Sequence, residues 1–377
     1  LKIGIDGSFF SKKYEGGKEQ VLMNLIKGLC NLGYGKDITV FGLEEAKDKF
    51  EDISEDINYV TVNMHKGFFK IKLFYGIWFR TFMLPKLIEK YEVDRLLFPV
   101  AYTGFSRFNI PTAVIPHDIQ FKSNPSAFRV YENRIFHHLY GNDFKKREVI
   151  VAISDYDRDE LKKHYGEYRE KTRLIYNPIY FSDKFVPDKG SVPLSDGLPP
   201  EYIFANNMAY KHKNLKTLLK AYESIMDKTD CNLVISGSLY RDDEETNTLA
   251  ERLKKSGRLD LTGYLPKSEF DKILKNARIF VNTSSFEGFG MSAVEAMYAE
   301  VTCLLADNSA VRKVTLGRAN YYCPAEDYRK LAEKLLQVLD SKRNPDFLRE
   351  SSKLIEDKYD YMKISASYAE LFKEMVR

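Results

Sequence analysis

RIFVNTSSFEGFGMSAVEAMYAEVTCLLA, residues 278–306, decides the fold. RIFVN is an apolar run of strand length. A polar loop with Gly288 and Gly290 follows it. A helix is expected from about Met291, and VTCLLA returns to an apolar run. Strand, loop, helix, strand is the repeating unit of a parallel sheet, because parallel neighbours need a long crossover.

The alternation extends upstream. YIFAN (202–206), a helix over 213–227, NLVISG (232–237), a helix over 242–256, RLDLTG (258–263) and a helix over 267–275 complete one doubly wound domain. From 327 onward the chain reads as polar-amphipathic helix. Before it, SDKFVPDKGSVPLSDGLPP (182–200) holds four prolines and two glycines and reads as a linker. The first half repeats the rhythm. KIGID ends at Gly7, and residues 19–32 place Val21, Leu22, Leu25, Ile26 and Leu29 at helical spacing. ITVFG (38–42), NYVTV (58–62), DRLLF (94–98), TAVIP (112–116), VIVAIS (149–154) and RLIYNP (173–178) are strands, and Ser154 with Asp155 is set to cap the next helix. A long helical stretch is expected to about residue 90.

The expected organisation is an N-terminal domain (1–181), the linker (182–200), a second domain (201–355) and a C-terminal helix (356–377) packing back on the first domain. Both domains are α/β, Rossmann-like and doubly wound, facing each other across a cleft. Ligands of open parallel sheets bind at the carboxyl ends of the strands, so the loops there hold the site.

Composition fits this reading. Of 377 residues, 44% are hydrophobic and 30% charged, which suits two packed cores rather than disorder. A net charge of +4 with interspersed signs gives no nucleic-acid footprint. Cys30, Cys231, Cys303 and Cys323 have no metal-ligand spacing and read as buried thiols in a reducing compartment. The chain opens on a strand with no leader pattern, and no apolar run reaches membrane-spanning length, so a cytoplasmic location is expected.

The 278–306 segment also carries the chemistry. Amide groups at the helix start, in Gly288, Phe289, Gly290, Met291 and Ser292, would hold a diphosphate. Glu295 inside the helix would reach ribose hydroxyls and Glu287 in the loop would reach sugar hydroxyls. The plainer alternative is an ordinary strand–loop–helix with two surface glutamates and Ser292 as a cap.

FEGFGMSAVEAM resembles the E-x7-E segment of family 4 retaining glycosyltransferases, which have the GT-B fold. GYLPKSEFDKILKNARIFVNTSSFEGFG, PTAVIPHDIQF, VIVAISDYDRDEL, RLIYNPI and YKHKNLKTLLKAY resemble further steps of that family, in its order, over nearly the whole chain. The resemblance implies a metal-independent transferase with no cofactor beyond its nucleotide-sugar substrate. It puts Glu295 on the donor ribose and Glu287 near the transferred sugar. It puts Lys213 on the diphosphate, with Lys211 as a neighbour able to substitute. A cation there is chemically required, since the leaving diphosphate gains charge. The resemblance also puts the Gly16–Gly17 pair near the donor phosphates and His117 beside the sugar. Their plain alternatives are a solvated helix start, a turn and a structural histidine. Three departures stand out. Asn206 and Asn207 replace the family's Gly-Arg, so Asn207 is the residue left at the donor. Glu300 and Thr302 replace Gly and Pro. Arg312 and Lys313 occupy the place of a Pro-Glu pair.

Residues 66–90, KGFFKIKLFYGIWFRTFMLPKLIEK, interleave basic and aromatic side chains. They read either as a peripheral contact with an anionic membrane or as a helix with a buried aromatic face and a solvated basic one. The expected function is transfer of a hexose-type sugar to a glycan or lipid-linked acceptor, in bacterial surface polysaccharide assembly by resemblance. A nucleotide-sugar epimerase on the same fold and a non-catalytic nucleotide-sugar or glycan-binding protein are the rivals.

Overall fold

A computed structural model describes residues 1–10, 16–62, 72–181, 198–206, 210–238 and 243–375. Asn207, most of the 182–200 linker and the start of the 66–90 segment lie outside the described residues. The chain divides into two compact units, Leu1–Tyr180 with Tyr359–Arg377, and Phe181–Lys358.

The first unit has seven strands: β1 (Ile3–Gly7), β2 (Ile38–Gly42), β3 (Asn58–Thr61), β4 (Arg95–Phe98), β5 (Thr112–Val114), β6 (Val149–Ala152) and β7 (Thr172–Leu174). They lie in the order β3-β2-β1-β4-β5-β6-β7, and every pairing is parallel. The second unit has β8 (Tyr202–Asn206), β9 (Asn232–Ser236), β10 (Leu259–Gly263), β11 (Ile279–Asn282), β12 (Thr302–Ala306) and β13 (Asn320–Tyr322). Their order is β10-β9-β8-β11-β12-β13, again parallel. Both orders reverse direction beside the first strand of the unit, after β1 and after β8. That switch point is where open sheets take ligands. Central strands are mostly apolar, as expected of a parallel sheet covered on both faces, with Asp6 in β1 and Asn282 in β11 among the buried polar exceptions. β1, β2, β6 and β11 have every residue buried.

The helix Gly17–Leu29 passes into a π-helical turn, Cys30–Tyr34, broken by Gly33 at φ 90°. Against it lies the helix Tyr361–Glu374, whose Ser365 hydroxyl donates to the Leu25 carbonyl at 3.2 Å. Gly28 permits this approach. A β-carbon there would stand 2.6 Å from Ser365 Cβ and 2.9 Å from the Tyr361 carbonyl oxygen. Gly28→Ala is therefore expected to destabilise the protein by about 1–3 kcal/mol through overpacking. Adding Ser365→Gly should restore part of the loss in urea unfolding, and no recovery in the double variant would refute the clash.

Besides a few short helical turns, the helix Val130–Lys146 and β13 escaped the sequence reading. The helix Val130–Lys146 buries only Leu139, Tyr140, Asp143 and Phe144. Its first half leaves Val130, Tyr131 and Ile135 exposed, which blurs the helical period. β13 has three residues, of which only Tyr322 is buried. In the 66–90 segment, Arg80 is not on a solvated basic face. It turns inward, with Nε 2.5 Å from Asp6 Oδ2, because a carboxylate buried at the middle of β1 needs a cation. Tyr75, Phe79, Leu84 and Ile88 join the core around it, while Phe82 is 59% exposed. Cys231 and Cys303 are buried as expected, but Cys323 is exposed and Cys30 half-buried. Among the described residues, no helix is long and apolar enough to cross a membrane.

Candidate functional site

In the second unit the carboxyl ends of β8, β11 and β12 gather the predicted residues. A short turn, Lys211–Lys213, follows β8 and ends at Asn214 in left-handed backbone (φ 56°). Hydrogen bonds from Thr283 and Ser285 tie it to the loop after β11. The Ser285 N–H donates to the His212 carbonyl at 2.7 Å, and the Thr283 hydroxyl donates to the Lys213 carbonyl at 2.9 Å. This brings Lys213 Nζ to 2.7 Å from Glu287 Oε1. Asn282 Nδ2 donates to the same oxygen at 3.3 Å. The Glu287 N–H is held by the Ser309 hydroxyl at 2.8 Å, so the backbone is fixed as well as the side chain. Burial pushes the Glu287 carboxyl up, but the Lys213 ammonium and hydrogen bonds from Lys213, Ser284 and Asn282 outweigh it, leaving the group below the usual carboxylate range. Glu287 is thus an anion held by a cation, in a setting where both charges are mostly out of water.

Gly290 stands before the helix Met291–Tyr298 at φ 92°, a conformation that favours glycine. No side chain caps that helix start. Ser292 does not act as a cap: its hydroxyl accepts from Asn206 Nδ2 at 3.1 Å, and Asn206 Oδ1 accepts from the Ser236 hydroxyl at 3.2 Å. The departure at position 206 therefore supplies a polar link between β8, β9 and the helix. Phe289 is buried and pins the loop. Lys211 is exposed.

Glu295 is 7% exposed, one turn into the helix. Its Oε1 lies 3.0 Å from Lys267 Nζ, which also lies 2.6 Å from Asp271 Oδ1. Burial disfavours the Lys267 ammonium, but the two carboxylates more than compensate and raise it. Asp271 is raised to about 6, first by burial and then by the Glu295 charge, against the pull of Lys267. Sequence reading missed Lys267, Asp271, Asn282 and Ser309. The quoted run GYLPKSEFDKILKNARIFVNTSSFEGFG contains Lys267, Asp271 and Asn282, but without a role for any of them. Arg312 and Lys313 follow β12, and Arg312 is committed to Asp307, with Nη2 2.6 Å from Oδ2. Among the described residues, no group of three or more His, Cys, Asp or Glu side chains is placed to hold a metal ion.

The remaining predicted residues belong to the first unit. Gly16 precedes the helix Gly17–Leu29, and a β-carbon on it would meet nothing within 4 Å. His117 follows β5 at φ 67° and is 5% exposed. Its Nε2 lies 2.8 Å from the Pro99 carbonyl. A carbonyl only accepts, so Nε2 carries the proton and Nδ1 is the acceptor. Burial lowers the ring to about 3, helped by the Lys18 charge, so it is neutral at physiological pH. The stability consequence has a definite sign. Between about 6.5 and 3 the unfolded histidine binds a proton that the folded one refuses, so stability falls as pH drops through that window. His117→Gln should flatten this part of the curve of urea midpoint against pH. An unchanged slope would show that His117 is not the group responsible.

Two family models match the chain: Glycosyltransferase Family 4 over residues 15–182 and Glycosyl transferases group 1 over residues 192–356. O-antigen chain mannosyltransferase B of Escherichia coli is 23% identical over 230 residues, covering 59% of this chain and 60% of that protein. O-antigen chain mannosyltransferase RfbU of Salmonella typhimurium is 26% identical over 216 residues, covering 56% of each. The chain thus spans little more than half the length of these curated relatives. The solved structure of Anabaena HepE in complex with UDP and glucose superposes with a TM-score of 0.74 at 16% identity, over 99% of this chain and 100% of that one. That likeness is one of fold.

Proposed function

This chain belongs to the family 4 glycosyltransferases of the GT-B type, and on that premise we propose that it moves a hexose-type sugar from a nucleoside-diphosphate sugar to a glycan or lipid-linked acceptor, with retention at the anomeric carbon. The observation that carries the reading is the Lys213–Glu287 pair, at 2.7 Å, beside an uncapped helix start at the carboxyl ends of a parallel sheet. The amides of the 288–292 loop and helix start, with Lys213 and Lys211, take the diphosphate. Its growing charge on departure is stabilised by groups already in place, which need no reorganisation. Glu295, anchored by Lys267, accepts hydrogen bonds from the ribose hydroxyls. Glu287, kept anionic, accepts from the sugar. Neutral His117 contributes an acceptor nitrogen to the sugar, and Gly16 and Gly17 leave room for phosphate. The relatives' names favour bacterial surface polysaccharide as the setting. A thermal-shift screen over UDP, GDP, dTDP and ADP sugars tests the core of this, because a ligand of the folded state raises the apparent Tm. The expected result is a rise with one nucleotide class, followed by turnover with that donor. No rise with any of the four would remove the reading.

The same proposal places the enzyme in the cytoplasm at the inner face of a membrane. Support comes from Phe82 and Phe105, 59% and 46% exposed. The two segments are joined where the Phe105 N–H donates to the Thr81 hydroxyl at 3.0 Å. Lys146 sits over the Phe105 ring at 5.5 Å and lies within the electrostatic reach of Lys145 and Arg107. Apolar rings among basic residues suit an anionic interface. Flotation with vesicles of phosphatidylglycerol should recover the parent protein and lose most of the Phe82→Ser/Phe105→Ser variant. Equal recovery of the two, or none of the parent, would count against membrane contact.

A further inference from the structure

The amino ends of β11, β12 and β13 lie at the opposite edge of the second sheet from the loops just described. A cavity of about 210 Å³ opens there. Four cationic side chains line it, Arg278, Arg318, Lys342 and Arg343, and among the described residues no carboxylate lines it. Neutralisation from outside the lining is partial. Arg318 Nη2 lies 2.7 Å from Glu350 Oε2, and Arg278 Nε lies 3.8 Å from Glu201 Oε2. Arg343 is oriented by the Glu300 carbonyl, which accepts from Nη2 at 2.8 Å. Arg318 Nε donates to the buried Ser351 hydroxyl at 2.8 Å, which fixes its fork. Met297 and Val301, both buried, are among the apolar residues that line it.

We propose that this cavity is a second ligand site, for a small phosphomonoester with a short apolar part, separate from the donor site. Guanidinium groups suit phosphate because their planar forks pair two oxygens at once. Four positive groups around one small space repel one another, and a dianion relieves that repulsion. The apolar lining residues Met297 and Val301 offer the rest of such a ligand a contact that a bare ion would not use. The size agrees: the space equals that of about seven liquid waters, enough for a phosphate group with a few carbons.

The test is calorimetric titration of the full chain with hexyl phosphate and with inorganic phosphate, in low salt. One hexyl phosphate is expected per chain, at least tenfold tighter than inorganic phosphate, weakening as salt is raised. Lys342 and Arg343 lie in the exposed turn after the helix Tyr328–Asp340, so Lys342→Gln/Arg343→Gln should fold normally. It should bind at least tenfold more weakly. Lys213→Ala, which alters the donor site, should bind hexyl phosphate as the parent does. No binding at millimolar concentration, equal binding by the double glutamine variant, or loss of binding in Lys213→Ala would each overturn the assignment. Because the readout needs no sugar donor, it stands or falls separately from the transferase proposal.

Discussion

Lys213→Ala is expected to lower kcat by at least about a hundredfold, with a smaller change in KM, once the donor is known. The ammonium serves two masters in turn. Without donor it holds Glu287 Oε1 at 2.7 Å. With donor it shares that charge with a diphosphate that becomes more anionic as the sugar leaves. An interaction that strengthens along the reaction appears mainly in kcat. The variant also leaves the Glu287 carboxylate half-compensated, since the strongest of the groups holding it below the usual range is gone. Its pKa should rise, and activity that remains should shift its pH dependence upward. Lys213→Arg is the control: charge is kept and geometry changed, so its loss should be smaller. Turnover of Lys213→Ala within tenfold of the parent would take Lys213 away from the leaving group.

The largest effect on stability is expected from Asp6→Ala. Asp6 is fully buried within β1, and the Arg80 side chain that meets it is 5% exposed. The guanidinium also donates to the Tyr102 carbonyl at 3.0 Å and to the Ser8 hydroxyl at 3.3 Å. Removing the carboxylate strands a cation in the core, which costs about 3–5 kcal/mol. Urea unfolding of the variant measures this directly. Asp6→Leu combined with Arg80→Met removes both charges and should lie closer to the parent than either single change. If Asp6→Ala unfolds at the parent's midpoint, the pair contributes nothing to the first unit's stability.

The two parallel sheets were legible because buried strands of α/β units are short and apolar, and the helices between them keep their period. The residues of the site were legible as types and only partly as contacts. Glu287 and Lys213 are 74 positions apart, and each was predicted for its own role without the other. Their pairing arises from backbone and hydroxyl hydrogen bonds between the 211–214 turn and the 283–285 loop, which no local pattern records. Lys267 and Glu295, 28 positions apart, meet for the same kind of reason. Arg80 was misjudged because a basic residue in an amphipathic run normally faces water. Here the buried Asp6 carboxylate on β1 reverses that preference. The helix Val130–Lys146 was invisible because half of it buries nothing apolar.

The return of Tyr361–Glu374 to the first unit has a consequence for biogenesis. On the ribosome, the nascent chain finishes β7 some 180 residues before that helix is made. At about 5–20 residues per second the delay is roughly 10–40 s. Throughout it, the Leu25–Gly28 face of the helix Gly17–Leu29 stays uncovered, and the second unit can mature before the first is complete. The order of synthesis and the order of completion are therefore reversed, and the early-translated half is the one that must be shielded from aggregation.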